Sequence, residues 1–286
     1  MAGAAVRVSL GPPAAIAEAA SALGLARPEV TPLDGGLANR SFRLHEGSRD
    51  YVLRLAGEAA ARLGADIRSE IAMQSIAASA GLAPRIALVD PAGRYVVSEY
   101  AEGSVPGASA LCDPALLTRI GAWCARLHAL EAPPGVATVD LGERAAGYLA
   151  RLRDAGGIVP RLRDELARRR GALLPPDRLA PCHHDLHRRN LLDDGTRLVV
   201  VDWEYAGRGD PAADLAACAG YHALDAAGVD ALIAGYGGAR APLRARIAAL
   251  AWIFDCVWYG WNAAAAQDCL AEDAAEQSCL VARLLG

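Results

Sequence analysis

The stretch from Cys182 to Ala216, CHHDLHRRNLLDDGTRLVVVDWEYAGRGDPAADLA, constrains the fold more than any other part of this 286-residue chain. His183, Asp185 and Asn190 stand in the order H-x-D-x-x-x-x-N, and two apolar runs follow on either side of Asp193-Asp194-Gly195-Thr196. Asp-Gly between such runs predicts a hairpin, because a tight turn needs residues that tolerate positive φ. Leu198 to Val201 then return beside Leu191 and Leu192, and Asp202 arrives back at the end where Asn190 begins. Two carboxylates and an amide therefore converge on one place.

That spacing suits phosphoryl transfer. A hydroxyl attacking the terminal phosphate of a nucleotide needs a carboxylate to orient it and take its proton, the role expected of Asp185. Mg²⁺ takes oxygen ligands in octahedral geometry, commonly only one or two from protein, and Asn190 and Asp202 are the candidates to supply them. His183 is expected to shape the loop by bonding backbone. His187 is expected to serve either the loop or the site.

The separation of Asp185 from Asn190, with a further Asp one hairpin later, is similar to the protein-kinase signature. Here Asp202-Trp203-Glu204 replaces Asp-Phe-Gly, and Gly209-Asp210-Pro211 precedes Asp214-Leu215-Ala216. With those departures the chain resembles the aminoglycoside phosphotransferase and choline kinase superfamily. LDGGLANRSF, YVLRLAG and SEYAEG look most like bacterial choline or ethanolamine kinases, whereas HHDLHRRNLL and VDWEYAGRGD resemble thiamine kinase about as well. The resemblance implies a two-lobed, protein-kinase-like α+β fold. It has an N-lobe with an antiparallel sheet and one main helix over residues 1–100, a hinge at 101–104, and a mostly helical C-lobe over 105–286. It also implies ATP as co-substrate, Mg²⁺, and a small alcohol as acceptor.

The N-terminal third is read as a short helix over 14–23, three strands around Leu33, Phe42 and Tyr51, a helix over 65–80, and a last strand over Tyr95–Tyr100. Gly35 and Gly36 lie in the turn before the second strand, where a missing Cβ lets backbone N–H groups approach phosphate oxygens. Asn39 follows them. Arg54 stands where protein kinases carry a phosphate-binding Lys, offering a planar fork in place of a point charge. Glu70, on the 65–80 helix, is its expected partner. Glu99 and Tyr100 end the last strand at the hinge, where backbone is expected to meet the adenine edge.

Helices are expected from Asp113-Pro114 to Leu130, with Asp as N-cap and Pro at the first helical position, and over 141–152, 158–172, 212–222, 226–236, 241–266 and 268–284. His128 is expected only to pack. On the 241–266 helix, Trp252, Asp255, Tyr259 and Asn262 share an arc of about 80°, while Phe254, Trp258 and Trp261 gather on another. The first arc sets aromatic faces beside a carboxylate and suits a cationic acceptor such as choline, ethanolamine or thiamine, with Glu204 facing the same cleft. The bland alternative is an aromatic-rich core helix. An aminoglycoside acceptor would instead use Asp268, Glu272, Asp273 and Glu276. A nucleotide-binding pseudokinase or regulatory module is the alternative outside enzymology, although none of the three key polar residues is missing.

Every basic residue is arginine, and the net charge of −4 with no long basic stretch argues against a nucleic-acid partner. Seven scattered cysteines without a C-x-x-C pair suggest reduced, buried thiols in a cytoplasmic protein, Cys182 being the one that could be reactive. No signal-peptide core is evident at the N-terminus. The apolar stretch 247–266 approaches membrane length, but Asp255 near its middle makes a buried helix the expectation.

Overall fold

The computed structural model describes residues 12–33, 39–57, 60, 62–152, 157–267 and 274–285. Helix α1 (Pro12–Ala22) precedes β1 (Glu29–Leu33), β2 (Arg40–Glu46), β3 (Arg49–Leu55), α2 (Ile67–Ser79), β4 (Ile86–Val89) and β5 (Tyr95–Glu99). The strands make one antiparallel sheet in the order β1-β2-β3-β5-β4. Successive side chains alternate across it. Phe42, Leu44, Leu53, Leu55, Tyr95 and Val97 are buried with Ala15, Ala19 and Ala20 of α1. Arg54, opposite Val96 in register, turns the other way and meets Glu70 of α2. Helix α2 starts where Asp66 accepts from Arg68 N–H (3.2 Å) and Ser69 Oγ (2.7 Å).

The sequence reading lacks β4. Its four residues are all apolar and do not alternate, and its register with β5 shifts between Ile86 and Leu88, so nothing in the local pattern marks a strand.

After β5 the chain presses against the hairpin. Ser104 and Asp193 exchange backbone hydrogen bonds of 2.9 and 3.0 Å. Gly103 has φ +143°, and a Cβ there would lie 3.1 Å from the Asp193 nitrogen, so only glycine allows this approach.

The remainder is mostly helical. A short 3₁₀ turn (Ala108–Cys112) leads to α3 (Pro114–His128), α4 (Leu141–Arg151) and α5 (Ile158–Ala172); β6 (Ala180–Cys182), β7 (Leu191–Asp193), β8 (Leu198–Val200) and β9 (Gly207–Gly209) follow. Four helices complete it, α6 (Ala212–Tyr221), α7 (Ala226–Tyr236), α8 (Arg240–Gln267) and α9 (Ala274–Leu285). β7 pairs antiparallel with β8 and β6 with β9. In the β7–β8 turn only Gly195 takes positive φ (+89°); Asp194 instead accepts the backbone N–H groups of Thr196 and Arg197. Helices α3 and α7 touch through glycines, since a Cβ on Gly121 would strike the Leu232 carbonyl and one on Gly235 the Thr118 carbonyl. Helix α8 buries Ile253, Phe254 and Cys256 in the main core. Among the described residues no helix is long and apolar enough to cross a membrane.

Candidate active site

The loop after β6 is held by one buried carboxylate. Asp214, in the first turn of α6 and fully buried, accepts the backbone N–H of His183 (2.9 Å, Oδ2) and of His184 (2.6 Å, Oδ1). His128 Nε2 lies 3.1 Å from Asp214 Oδ2, and its Nδ1 lies 3.1 Å from the Tyr236 hydroxyl. Burial pushes the Asp214 carboxyl up, but His128, His184 and the His183 amide outweigh it and hold it down at about 2. His128 is therefore not the mere packing residue expected from sequence. Its partner lies 86 residues further on and has no local signature.

The clamp fixes an unusual backbone. His184 has φ +63°, in the left-handed region. His183 places Nε2 3.1 Å from the Val201 carbonyl and packs edge-to-face on Trp203 at 4.7 Å, in the loop-shaping role expected of it. Burial lowers its pKa, so the ring bonds backbone in neutral form. Cys182 is fully buried and its thiol is pushed well up, the opposite of a reactive thiolate.

Beyond the clamp, Asp185 is held at both oxygens. Tyr221 donates to Oδ1 at 2.6 Å, and Asn190 Nδ2 donates to Oδ2 at 3.0 Å and to the Asp185 carbonyl at 2.9 Å. Both hydrogen bonds of the Asn190 side-chain nitrogen go to Asp185, which leaves the side-chain Oδ1, not the backbone carbonyl, as the atom suited to a cation. Val201 N–H bonds the Asn190 carbonyl at 3.0 Å, tying the loop to the returning strand as the hairpin pattern requires. His187 has Nε2 3.7 Å from Asp185 Oδ2 and packs edge-to-face on Tyr221 at 5.3 Å. Nothing in the local sequence around Tyr221 marks it as a site residue. The available signal is its position seven residues after Asp214, on the same face of α6.

Asp202 completes the set. Its φ is +64°, and its buried Oδ1 has no hydrogen-bond partner among the described residues. An orphaned carboxylate oxygen is costly unless a cation completes it. Glu204, also buried, accepts from Asn39 Nδ2 at 2.5 Å, and Asn39 Oδ1 accepts Gly57 N–H at 3.0 Å. Asn39 thus braces Glu204 across the two parts of the chain. Burial, and then the charge of Asp202, push the Glu204 carboxyl up to about 8 against the pull of Arg54 and Asn39.

Arg54 forms a buried ion pair with Glu70, as the sequence predicts. Burial works against its charge, yet Glu70, Asp202 and Glu204 together hold its pKa above the ordinary value. Glu70 is pushed up by burial against the opposing pull of Arg54. One guanidinium faces three carboxyl groups, an oxygen-rich balance that fits a hard divalent cation. Asp202 Oδ1, without a partner among the described residues, and the side-chain oxygen of Asn190 are the atoms suited to hold one.

Other expected site residues are engaged elsewhere. Glu99 pairs with Arg85 at 2.7 Å on the exposed edge, and Tyr100 lies 4.1 Å beneath the Arg43 guanidinium. Trp252 carries Arg169 over its ring at 4.4 Å and donates to the Leu284 carbonyl at 3.4 Å; Asp255 is bound by Arg283. Tyr259 is half-buried, its hydroxyl pKa raised by burial. The second arc of α8 is the one that reaches Asp185, because Phe254 and Trp258 pack edge-to-face on Tyr221 at 4.8 and 4.7 Å. Trp261 donates to the Tyr205 hydroxyl at 2.8 Å. Gly35, Gly36, Asp268, Glu272, Asp273 and the Glu276 side chain lie outside the described residues.

Residues 29–250 match the model of the phosphotransferase enzyme family. The chain belongs to that family. The thiamine kinase of Shigella boydii serotype 4 is 32% identical to this chain over 197 residues, 66% of this chain and 65% of that protein. The match thus spans slightly under two thirds of the curated relative's length. Among solved structures, a choline/ethanolamine kinase family protein from Mesorhizobium loti superposes with a TM-score of 0.79 at 28% identity, covering 94% of this chain and 91% of that one. A choline kinase from Streptococcus pneumoniae shares the fold, with a TM-score of 0.78 at 20% identity and coverage of 94% and 96%. The expected kinase-like α+β architecture is the one observed.

Proposed function

We propose that this phosphotransferase moves the γ-phosphoryl group of ATP to the hydroxyl of a small cationic alcohol of the choline, ethanolamine or thiamine type. The observation that carries the reading is the pairing of Asp185, held at both oxygens, with Asp202, whose buried Oδ1 lacks a partner among the described residues. The acceptor class is suggested by what the similar proteins are called.

In this reading Tyr221 and Asn190 hold the Asp185 carboxylate in one orientation, so it meets the acceptor without reorganising. Asp185 takes the hydroxyl proton as the acceptor oxygen bonds to the γ-phosphorus; the bond from that phosphorus to the β–γ bridging oxygen breaks, and ADP leaves. Arg54, braced by Glu70, faces the phosphates with a charge that burial alone would not sustain. Asn190 and Asp202 would hold Mg²⁺, which when bound neutralises charge on the phosphates. We place the lobes at 1–100 and 105–286, with Ala101–Ser104 as hinge between them.

ADP release with Mg-ATP against choline, ethanolamine, thiamine, an aminoglycoside and a sugar alcohol tests the proposal. Turnover on one of the small cationic alcohols is expected. Nucleotide binding with no turnover on any of the five would favour a regulatory nucleotide-binding module instead.

A further inference from the structure

Asp255 and Trp258, one turn apart on α8, hold the same cation. Arg283 of α9 bonds Asp255 with two prongs, Nη2 to Oδ1 at 2.6 Å and Nε to Oδ2 at 3.0 Å, and its Cζ lies 5.5 Å from the centroid of Trp258. Trp258 packs on Tyr221 at 4.7 Å, and Tyr221 bonds Asp185 at 2.6 Å. Only two aromatic side chains separate the carboxylate at the centre of the site from this guanidinium.

A ring face beside a carboxylate attracts cations, and the Trp252 ring, the Trp258 ring and the Asp255 carboxylate are each already met by an arginine of the chain itself. Arg169 covers Trp252, and Arg283 covers Trp258 and neutralises Asp255. The two partners differ in exposure. The Asp255 side chain is 9% exposed and that of Arg283 33%, so the cation is the half of the pair that can leave toward solvent. Arg283 sits two residues from the end of α9.

We propose that Arg283 is an internal occupant of an acceptor subsite: it competes with a cationic acceptor for Trp258 and Asp255, and thereby sets which acceptors bind. The proposal deepens the small-alcohol kinase reading and rests on it. A cation that displaces Arg283 gains the ring face and the carboxylate, whereas a neutral alcohol gains neither.

Calorimetric titration of tetramethylammonium into the wild type, Arg283→Gln, Arg283→Lys and the double variant Arg283→Gln/Trp258→Leu separates the possibilities, with thermal melting to verify folding. Glutamine keeps a hydrogen bond to Asp255 but removes the charge, and should bind the probe roughly tenfold more tightly than the wild type, within the range of cation–ring attraction. Lysine should stay close to the wild type, and the double variant should lose the gain. Equal affinity in the wild type and Arg283→Gln, or a gain that survives loss of Trp258, overturns the proposal and leaves Arg283 as a tie between α8 and α9. With choline as acceptor, Arg283→Gln should also lower the acceptor KM while leaving the KM for ATP unchanged. Absence of turnover on every acceptor would count against the kinase reading, while the titration still decides the occupancy of Trp258.

Discussion

The hydroxyl of Tyr221 donates to Asp185 Oδ1 at 2.6 Å, on the side of the carboxylate opposite to the Asn190 bond. A tyrosine on α6 thus orients an acid on the loop after β6, and the same ring meets Phe254 and Trp258 of α8. Tyr221→Phe keeps that packing and removes only the hydrogen bond. A bond to a charged group contributes about 1.5–3 kcal/mol, so kcat should fall roughly 10- to 100-fold with the KM for ATP unchanged. Steady-state kinetics check this, and an unaltered kcat would remove Tyr221 from the site.

Asp185→Ala should lower kcat by a few orders of magnitude while nucleotide still binds, as expected for loss of a positioned base. Single-turnover ADP formation beside a nucleotide titration separates the two effects.

Asp202→Ala should instead weaken binding of the Mg²⁺–nucleotide, because it deletes the carboxylate whose Oδ1 has no protein partner among the described residues. Nucleotide titrations at several Mg²⁺ concentrations are the measurement. Identical Mg²⁺ dependence in the two proteins would count against a metal role.

Asp214 predicts acid sensitivity. Its folded pKa of about 2 lies below the unfolded value near 3.9, so its contribution is fully present above about pH 4 and lost as the pH falls through 2. For a fully buried group that shift corresponds to about 2–3 kcal/mol. Asp214→Asn should lower Tm at neutral pH and flatten the decline of Tm between roughly pH 4 and 2. Melting curves across that range should converge for the two proteins at the acid end.

Gly235→Ala should destabilise without touching the chemistry. The added Cβ strikes the Thr118 carbonyl across the α3–α7 contact, and overpacking of this kind costs typically 1–3 kcal/mol. Tm should drop by several degrees, with kcat per folded molecule retained.

Much of this was legible in the chain because it is local. The loop, the hairpin and Asp202 lie within 20 residues, and the order of polar residues, turn and apolar return strand specifies their convergence without reference to anything distant. The Arg54–Glu70 pair was legible for a related reason, since a strand and the helix that follows it are neighbours in sequence and each carries its own periodicity. The helices of the second half announce themselves by caps and spacing.

What local pattern could not supply is the choice among faces. Two aromatic arcs of α8 are available, and the arc with the carboxylate suits a cation by its residue types, yet α6 and Tyr221 engage the other one, while in the first Arg169 stacks on Trp252 and Arg283 pairs with Asp255. His128 and Asp214 meet across 86 residues, and Asn39 and Glu204 across 165. A helix or loop can state which residues it presents but not which partner will pack there, because that depends on how the remaining elements fill space around it. The convergence of Asp185, Asn190 and Asp202 was written in order and spacing; the groups that orient and brace them were chosen by packing.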